Sequence, residues 1–256
     1  MARLATGIEE LDRLLYGGFP DRMLLLLQGF PGCGSSEFAQ QFLSFGLQNQ
    51  GTGIYFTSKK TSFEVLESMK YMLPDVEKYY DRKKLVFLDS YTPRLKEFAV
   101  QYGLASPEDT RGEVLWNIGP LEKLSGFFTD SIKGMSGDIR VIVDNLSYLL
   151  RGYELDKIVD LIEKMQFAAR IYGGVYMILL MEAMHDPKTI ATIADMVDGV
   201  IQFQEKLKQT SLVSVMRFVK MDGTDFNTRN IPYVTVRNGI QYRTTVRGVE
   251  FEKAVL

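Results

Sequence analysis

Gly29-Phe-Pro-Gly-Cys-Gly-Ser-Ser36 is the segment whose residue types and spacing can do chemistry. Glycines at 29, 32 and 34 let backbone N–H groups turn inward around phosphate oxygens, and a helix starting behind them adds the favourable end of its dipole. The spacing is that of a phosphate-binding loop, G-x-x-x-x-G-K-[ST]. Ser36 takes the position whose hydroxyl would hold Mg²⁺. Asp144, closing the apolar run Ile139 to Asp144, suits the acid that would hold the same ion. Ser35 stands where the motif requires lysine. Cys33, inside the loop at a position that accepts many residues, reads as simply tolerated there rather than as a redox-sensitive plug.

The elements that must carry these residues alternate along the chain. Met23 to Gln28 is an apolar run of the kind that fills a strand buried on both faces of a parallel sheet. Ser35 to Gln50 follows with Phe38, Phe42, Leu43 and Phe45 at helical spacing. Strands are expected at Gly53 to Ser58, Leu85 to Leu88, Ile139 to Asp144 and Gly174 to Leu180. Helices are expected at Phe63 to Met72, Leu121 to Lys133 and Asp156 to Ile171. Shorter strands follow at Val200 to Phe203, Leu212 to Lys220, Val234 to Arg237 and Ile240 to Tyr242, with Asn238-Gly239 as a hairpin turn. This order predicts an α/β fold in one domain over residues 1–256: a central, mainly parallel sheet flanked by helices, with antiparallel strands at its C-terminal side. Tyr91 to Gly112 carries no clear pattern.

Composition narrows the function classes. The 256 residues hold 30 Lys and Arg against 32 Asp and Glu, a net charge of −2, so nothing draws the whole molecule to nucleic acid or an anionic membrane. One cysteine and one histidine exclude a disulfide, a cysteine-based zinc site and a histidine-rich metal site. The first residues carry no signal peptide and no apolar run is long enough to span a bilayer, so a cytoplasmic location without a membrane partner is expected. His185 reads as an exposed loop residue, Trp116 as packing, and Met177 and Met181 as strand packing. Basic residues after Gln204, Lys206, Arg217 and Lys220 among them, are interspersed with Glu205, Asp222 and Asp225. That pattern reads as a mixed solvated surface rather than a DNA channel.

Several segments together resemble the KaiC-like ATPases of the RecA/RadA superfamily: Thr6-Gly-Ile8, Leu11-Asp12, Leu14, Gly17-Gly-Phe-Pro20, the loop at Gly29, and Phe42-Leu43. Val141-Ile-Val-Asp144 with Leu146-Ser147 looks like that family's Walker B strand. Ala194 to Ile201 is similar to its "ADGVI" strand entry, and Lys220-Met-Asp-Gly-Thr224 to its late "K-M-R-G-T" segment. The resemblance implies a RecA-like P-loop NTPase fold. It also implies ATP or ADP with Mg²⁺ bound by Gly29, Gly32, Cys33, Gly34, Ser35, Ser36, Lys59, Lys60 and Asp144.

The departures bear on catalysis. Where the family places two Glu residues after its second strand, one of which activates water, this chain has Lys59 and Lys60, and a protonated lysine cannot accept a proton. Asp222 replaces the arginine that in the family reaches a neighbour's phosphates, and only Lys220 is kept there. With the loop lysine also replaced, the expectation is weakened nucleotide binding and no turnover: a pseudo-ATPase acting as a regulatory or scaffold subunit, in a homo-oligomer or beside a paralogous ATPase subunit. Two alternatives follow. Lys59 or Lys60, read as lying on a strand beside the loop strand, could supply the missing charge and leave a slow ATPase. A recombinase-like paralogue could bind DNA without turning over ATP.

Overall fold

The computed structural model describes residues 2–103, 113–114, 121–135, 137–208, 211–226, 228–243, 245–246 and 249–250. Trp116 lies outside them. The chain opens with β1 (Arg3–Leu4) paired to β2 (Phe19–Pro20) around α1 (Glu9–Leu14). Here the Thr6 N–H donates to Asp12 Oδ1 at 2.6 Å, and Arg3 donates to the carbonyls of Leu15 and Gly18. The opening residues that carry the family resemblance therefore fold this segment back on itself.

Strands and helices then alternate. They run β3 (Met23–Gly29), α2 (Ser35–Gln48), β4 (Thr52–Thr57), α3 (Ser62–Met69), α4 (Glu77–Asp81) and β5 (Leu85–Asp89). Next come α5 (Thr92–Tyr102), β6 (Glu113–Val114), α6 (Leu121–Lys133), β7 (Ile139–Asp144) and α7 (Leu146–Gly152). After these lie α8 (Leu155–Tyr172), β8 (Val175–Met181) and α9 (Pro187–Met196). A β-rich end follows: β9 (Gly199–Lys208), β10 (Ser211–Met221), β11 (Ile231–Val236), β12 (Gly239–Tyr242), β13 (Thr245–Val246) and β14 (Val249–Glu250).

One sheet takes ten of these strands in the order β12-β11-β10-β9-β3-β8-β7-β4-β5-β6. Pairing is parallel from β9 through β6 and antiparallel from β9 out to β12. The expected fold class holds. Both faces are covered, which is why β3 and β8 are continuous apolar runs. Leu25 and Leu27 pack with Phe38 and Phe42 of α2 and Val65 and Leu66 of α3. The alternate residues Leu24 and Leu26 pack with Phe128 of α6, Ile162 of α8 and Ile193 of α9. Asp198 accepts from the Leu24 N–H at 2.8 Å, so the "ADGVI"-like segment secures the entry of β3. Arg140 is buried at the other end of α2, where it donates to the carbonyls of Ala5 and Phe42 and stacks on the Phe42 ring at 4.0 Å. Its burial pulls the guanidinium pKa down to about 10.

Several elements escape the sequence pattern: α1, α4 and the short strands β1, β2, β6, β13 and β14, together with α5, α7 and α9. α5 occupies the first part of the unreadable stretch; it exposes Phe98, Val100 and Tyr102, so its apolar residues do not trace one core-facing stripe. α7 starts directly after β7 on an Asn145 cap, and α9 starts on Asp186 and Pro187. The β11–β12 loop is Arg237-Asn238, one residue earlier than expected, because Val236 pairs with Gly239.

Candidate nucleotide-binding site

β3 ends on buried Gly29 and delivers the loop to the N-terminus of α2. Gly32 and Gly34 have φ of +83° and +88°, a region that side chains disfavour and that turns successive N–H groups the same way. Among the described residues, the N–H groups of Gly32, Gly34, Ser35 and Ser36 have no protein acceptor. A Cβ on Gly32 would meet nothing within 4 Å, so the mouth of the loop is open. Unpaired N–H groups at a helix start form a site for an anion.

The underside of the loop is closed by packing. Cys33 is 2% exposed, and its thiol donates to Ser35 Oγ at 3.4 Å. Tyr233 of β11 donates its hydroxyl to the Cys33 carbonyl, and a Cβ on Gly34 would fall 2.6 Å from Thr235 Oγ1. Burial raises the Tyr233 pKa well above its ordinary value, so this hydroxyl stays a donor. On the next strand, the Ile240 N–H donates to Gln41 Oε1 at 2.9 Å. The C-terminal hairpin is thus the wall against which the loop is seated.

The second half of the site lies at the ends of β7 and β4. Tyr55 donates its hydroxyl to Asp144 Oδ2 at 2.7 Å. That hydroxyl accepts from Gln40 Nε2 at 3.4 Å, and Ser68 donates to Gln40 Oε1 at 2.7 Å. Tyr55 is fully buried; burial first, and then the nearby Asp144 charge, hold its pKa well above the usual tyrosine value. Among the described residues, Asp144 Oδ1 is buried without a partner. An orphaned carboxylate oxygen and the half-buried Ser36 in the first turn of α2 fit a hydrated Mg²⁺ ion, a hard cation that takes oxygen ligands and keeps waters.

Lys59 and Lys60 lie two and three residues past the end of β4, both exposed. Sheet order corrects their expected place. β8 and β7 intervene between β3 and β4, which puts three strand spacings, about 14 Å, between β4 and the loop strand. They neighbour Asp144 instead: Thr57 is its register partner, and the Ser58 N–H donates to its carbonyl at 2.9 Å. Among the described residues neither lysine forms an ion pair.

Asp222 falls at the far edge. Met221 pairs with Gly199, which pairs with Leu25 near the start of β3, so Lys220 to Thr224 sit at the opposite end of the sheet from this chain's own loop. Lys220 Nζ donates to the Asp195 carbonyl at 2.8 Å and the Asp222 N–H to that of Asp198. His185, expected to be exposed, is half-buried with its Nε2 unpartnered among the described residues, and burial lowers its pKa. Met177 and Met181 are buried in β8, as expected. Among the described residues no helix is long and apolar enough to cross a membrane.

Tyr55, Gln40 and Tyr233 go unnoticed in the sequence. The available signal is that a buried tyrosine needs a partner for its hydroxyl, and Tyr55 sits in a run whose neighbours are all core residues.

Comparison with known proteins agrees with this arrangement. Residues 4–245 match the family model described as "ATPase: KaiC". A UPF0273 protein of Sulfurisphaera tokodaii is 30% identical over 148 residues, 57% of this chain and 49% of that protein, so the match spans about half of that relative. One from Aeropyrum pernix is 27% identical over 93% of this chain and 92% of its own length. The crystal structure of the KaiC-like protein PH0186 from Pyrococcus horikoshii OT3 superposes with a TM-score of 0.72 at 19% identity, covering 94% of this chain and 99% of that one. The fold, the order of the motifs and the extent of the family match agree: the chain belongs to the KaiC ATPase family of the RecA superfamily.

Proposed function

We propose that this chain is a KaiC-family subunit that binds ATP or ADP with weakened affinity, does not hydrolyse it, and serves as a regulatory or scaffold subunit. The observation that carries the reading is Ser35. At the position of the phosphate-binding lysine stands a short hydroxyl, 3% exposed and bonded to Cys33 beneath the loop. The loop N–H groups remain to hold phosphate oxygens, and Ser36 and Asp144 would hold Mg²⁺, which when bound neutralises phosphate charge. What is missing is charge and a base. Losing one charge-assisted contact costs about 1.5–3 kcal/mol, or about 10–100-fold in affinity. Lys59 and Lys60 stand where a carboxylate would activate water, and an ammonium group has no lone pair with which to take a proton.

Asp222 supports an assembly role. At the sheet edge opposite its own loop, that position can meet a phosphate only in another subunit, a second copy or an active paralogue. There a carboxylate withholds the positive charge that an arginine would give, a contact worth about 10³–10⁵ in rate in enzymes that use it.

A second reading rests on the exposed Lys59 and Lys60, which follow the strand end register-paired with Asp144 and form no ion pair among the described residues; either could supply the absent charge. Titrating fluorescent ATP and ADP with and without Mg²⁺, and assaying phosphate release alongside, separates the two. Weak Mg²⁺-dependent binding with no turnover, unchanged in Lys59→Ala and Lys60→Ala, is the expected result. Loss of binding in either variant favours the second reading, steady turnover overturns the first, and no binding at millimolar nucleotide overturns both.

A further inference from the structure

The geometry points to Tyr55 as a positioning residue for the metal half of this site, an inference that rests on the nucleotide reading above. Asp144 has two carboxylate oxygens. Oδ2 is occupied by the Tyr55 hydroxyl at 2.7 Å, and Oδ1 is buried with no partner among the described residues. A buried polar atom left unpaired is costly, so the site is arranged around something that Oδ1 is to meet. The Tyr55 bond decides which oxygen that is, because a carboxylate free to rotate would offer either.

Tyr55 also ties that oxygen to the other ligand. Its hydroxyl accepts from Gln40, and Gln40 follows Ser36 by four residues on α2, so the two share one face of the helix. Ser68 of α3 fixes the far end of Gln40 at 2.7 Å. Asp144 on β7 and Ser36 on α2 are thereby linked through two side chains buried in the core, Tyr55 at 0% exposure and Gln40 at 4%. Tyr55 and Gln40 lie outside the phosphate-binding loop, and the relay they form acts through Asp144 and Ser36. Its work is to set the spacing between a hydroxyl and a carboxylate, which is what a cation demanding near-octahedral geometry at short distances requires.

Tyr55→Phe keeps the ring in place against Phe87 and removes only the hydroxyl. The measurement is the ratio of ATP affinity in Mg²⁺ to that in EDTA. For Tyr55→Phe that ratio falls about fivefold to tenfold, the size of one charge-assisted hydrogen bond, while affinity in EDTA stays within about twofold. Asp144→Asn gives a similar fall, and the double variant falls no further. Gln40→Met, which leaves the Tyr55–Asp144 bond but cuts the tie to α2, gives a smaller fall. An unchanged ratio in folded Tyr55→Phe overturns the inference. A double-mutant cycle on Tyr55 and Asp144 by denaturant unfolding without nucleotide tests the bond by itself, with an expected coupling of about fivefold in the unfolding constant. Absent coupling sinks the Tyr55 role alone. Coupling in a protein that binds no nucleotide at millimolar concentration sinks the nucleotide reading, and with it the metal role of the pair.

Discussion

The loop at the end of β3 and the corner where β4 and β7 end are held by different means. In the loop, conformation comes from the backbone: two glycines at positive φ, a helix start, and a hairpin wall that bonds the Cys33 carbonyl. At the corner, it comes from side chains: Ser68, Gln40 and Tyr55 in series onto Asp144. Ser35 stands at the lysine position of the loop motif and Lys59 and Lys60 follow β4, yet the loop has its glycines and, among the described residues, unpaired N–H groups. Backbone geometry depends on glycine and on packing from behind, so it can outlast the loss of charged groups that contribute nothing to folding. A base or a cation contributes to chemistry alone, and the fold does not enforce it.

The largest effect should come from attacking the backbone half. Gly34→Ala forces a side chain into positive φ and against Thr235, so unfolding by denaturant should show a loss of about 2–4 kcal/mol and nucleotide binding should vanish. A cost under about 0.5 kcal/mol would break the comparison, since the hairpin would then not be fixing the loop.

Next in size is Ser35→Lys, which returns a charge to an otherwise intact cradle. Nucleotide affinity should rise about 10–100-fold with turnover still undetectable, because no base has been added. No gain in affinity would mean that the loop, though glycine-built, is not shaped for phosphate.

The smallest effect belongs to the turn that follows β8, the strand between the two halves. Burial lowers the pKa of His185, so the folded protein takes up that proton at lower pH than the unfolded chain does. Between the folded pKa and the ordinary value of 6.5, the unfolded state binds more protons, and stability falls as pH falls through that window. Asp186, bonded to Thr189, has a lowered pKa and adds its own loss only below the ordinary carboxylate range. Thermal melts at pH 7 and 5.5 should show a modest drop that His185→Gln reduces. A drop of the same size in the variant would assign it to other groups.

Most of the architecture was legible along the chain. α6 and β7 have the bounds that the spacing predicts, Leu121–Lys133 and Ile139–Asp144, because each is long and regular enough to show its period. α5 was not legible, since its exposed aromatic residues blur the stripe. α7 and α9 were not assigned although cap residues stand at their starts, because caps mark a beginning only where an apolar pattern follows clearly.

The candidate site divides along the same line. Gly29 to Ser36 is contiguous, so residue type and spacing alone marked a glycine-rich loop of the phosphate-binding pattern, and the absence of a lysine within it. The bond from Tyr55 to Asp144 spans 89 residues and exists because β4 and β7 are neighbours in register. Strand order was beyond the sequence, which is why Lys59 and Lys60 were expected beside the loop. Strands buried on both faces are apolar throughout, and such runs carry no mark of which strand lies next to which. Only the packing of helices across the sheet decided that order. With it came which oxygen of Asp144 faces Tyr55, and that Asp222 lies at the end of the sheet opposite the loop.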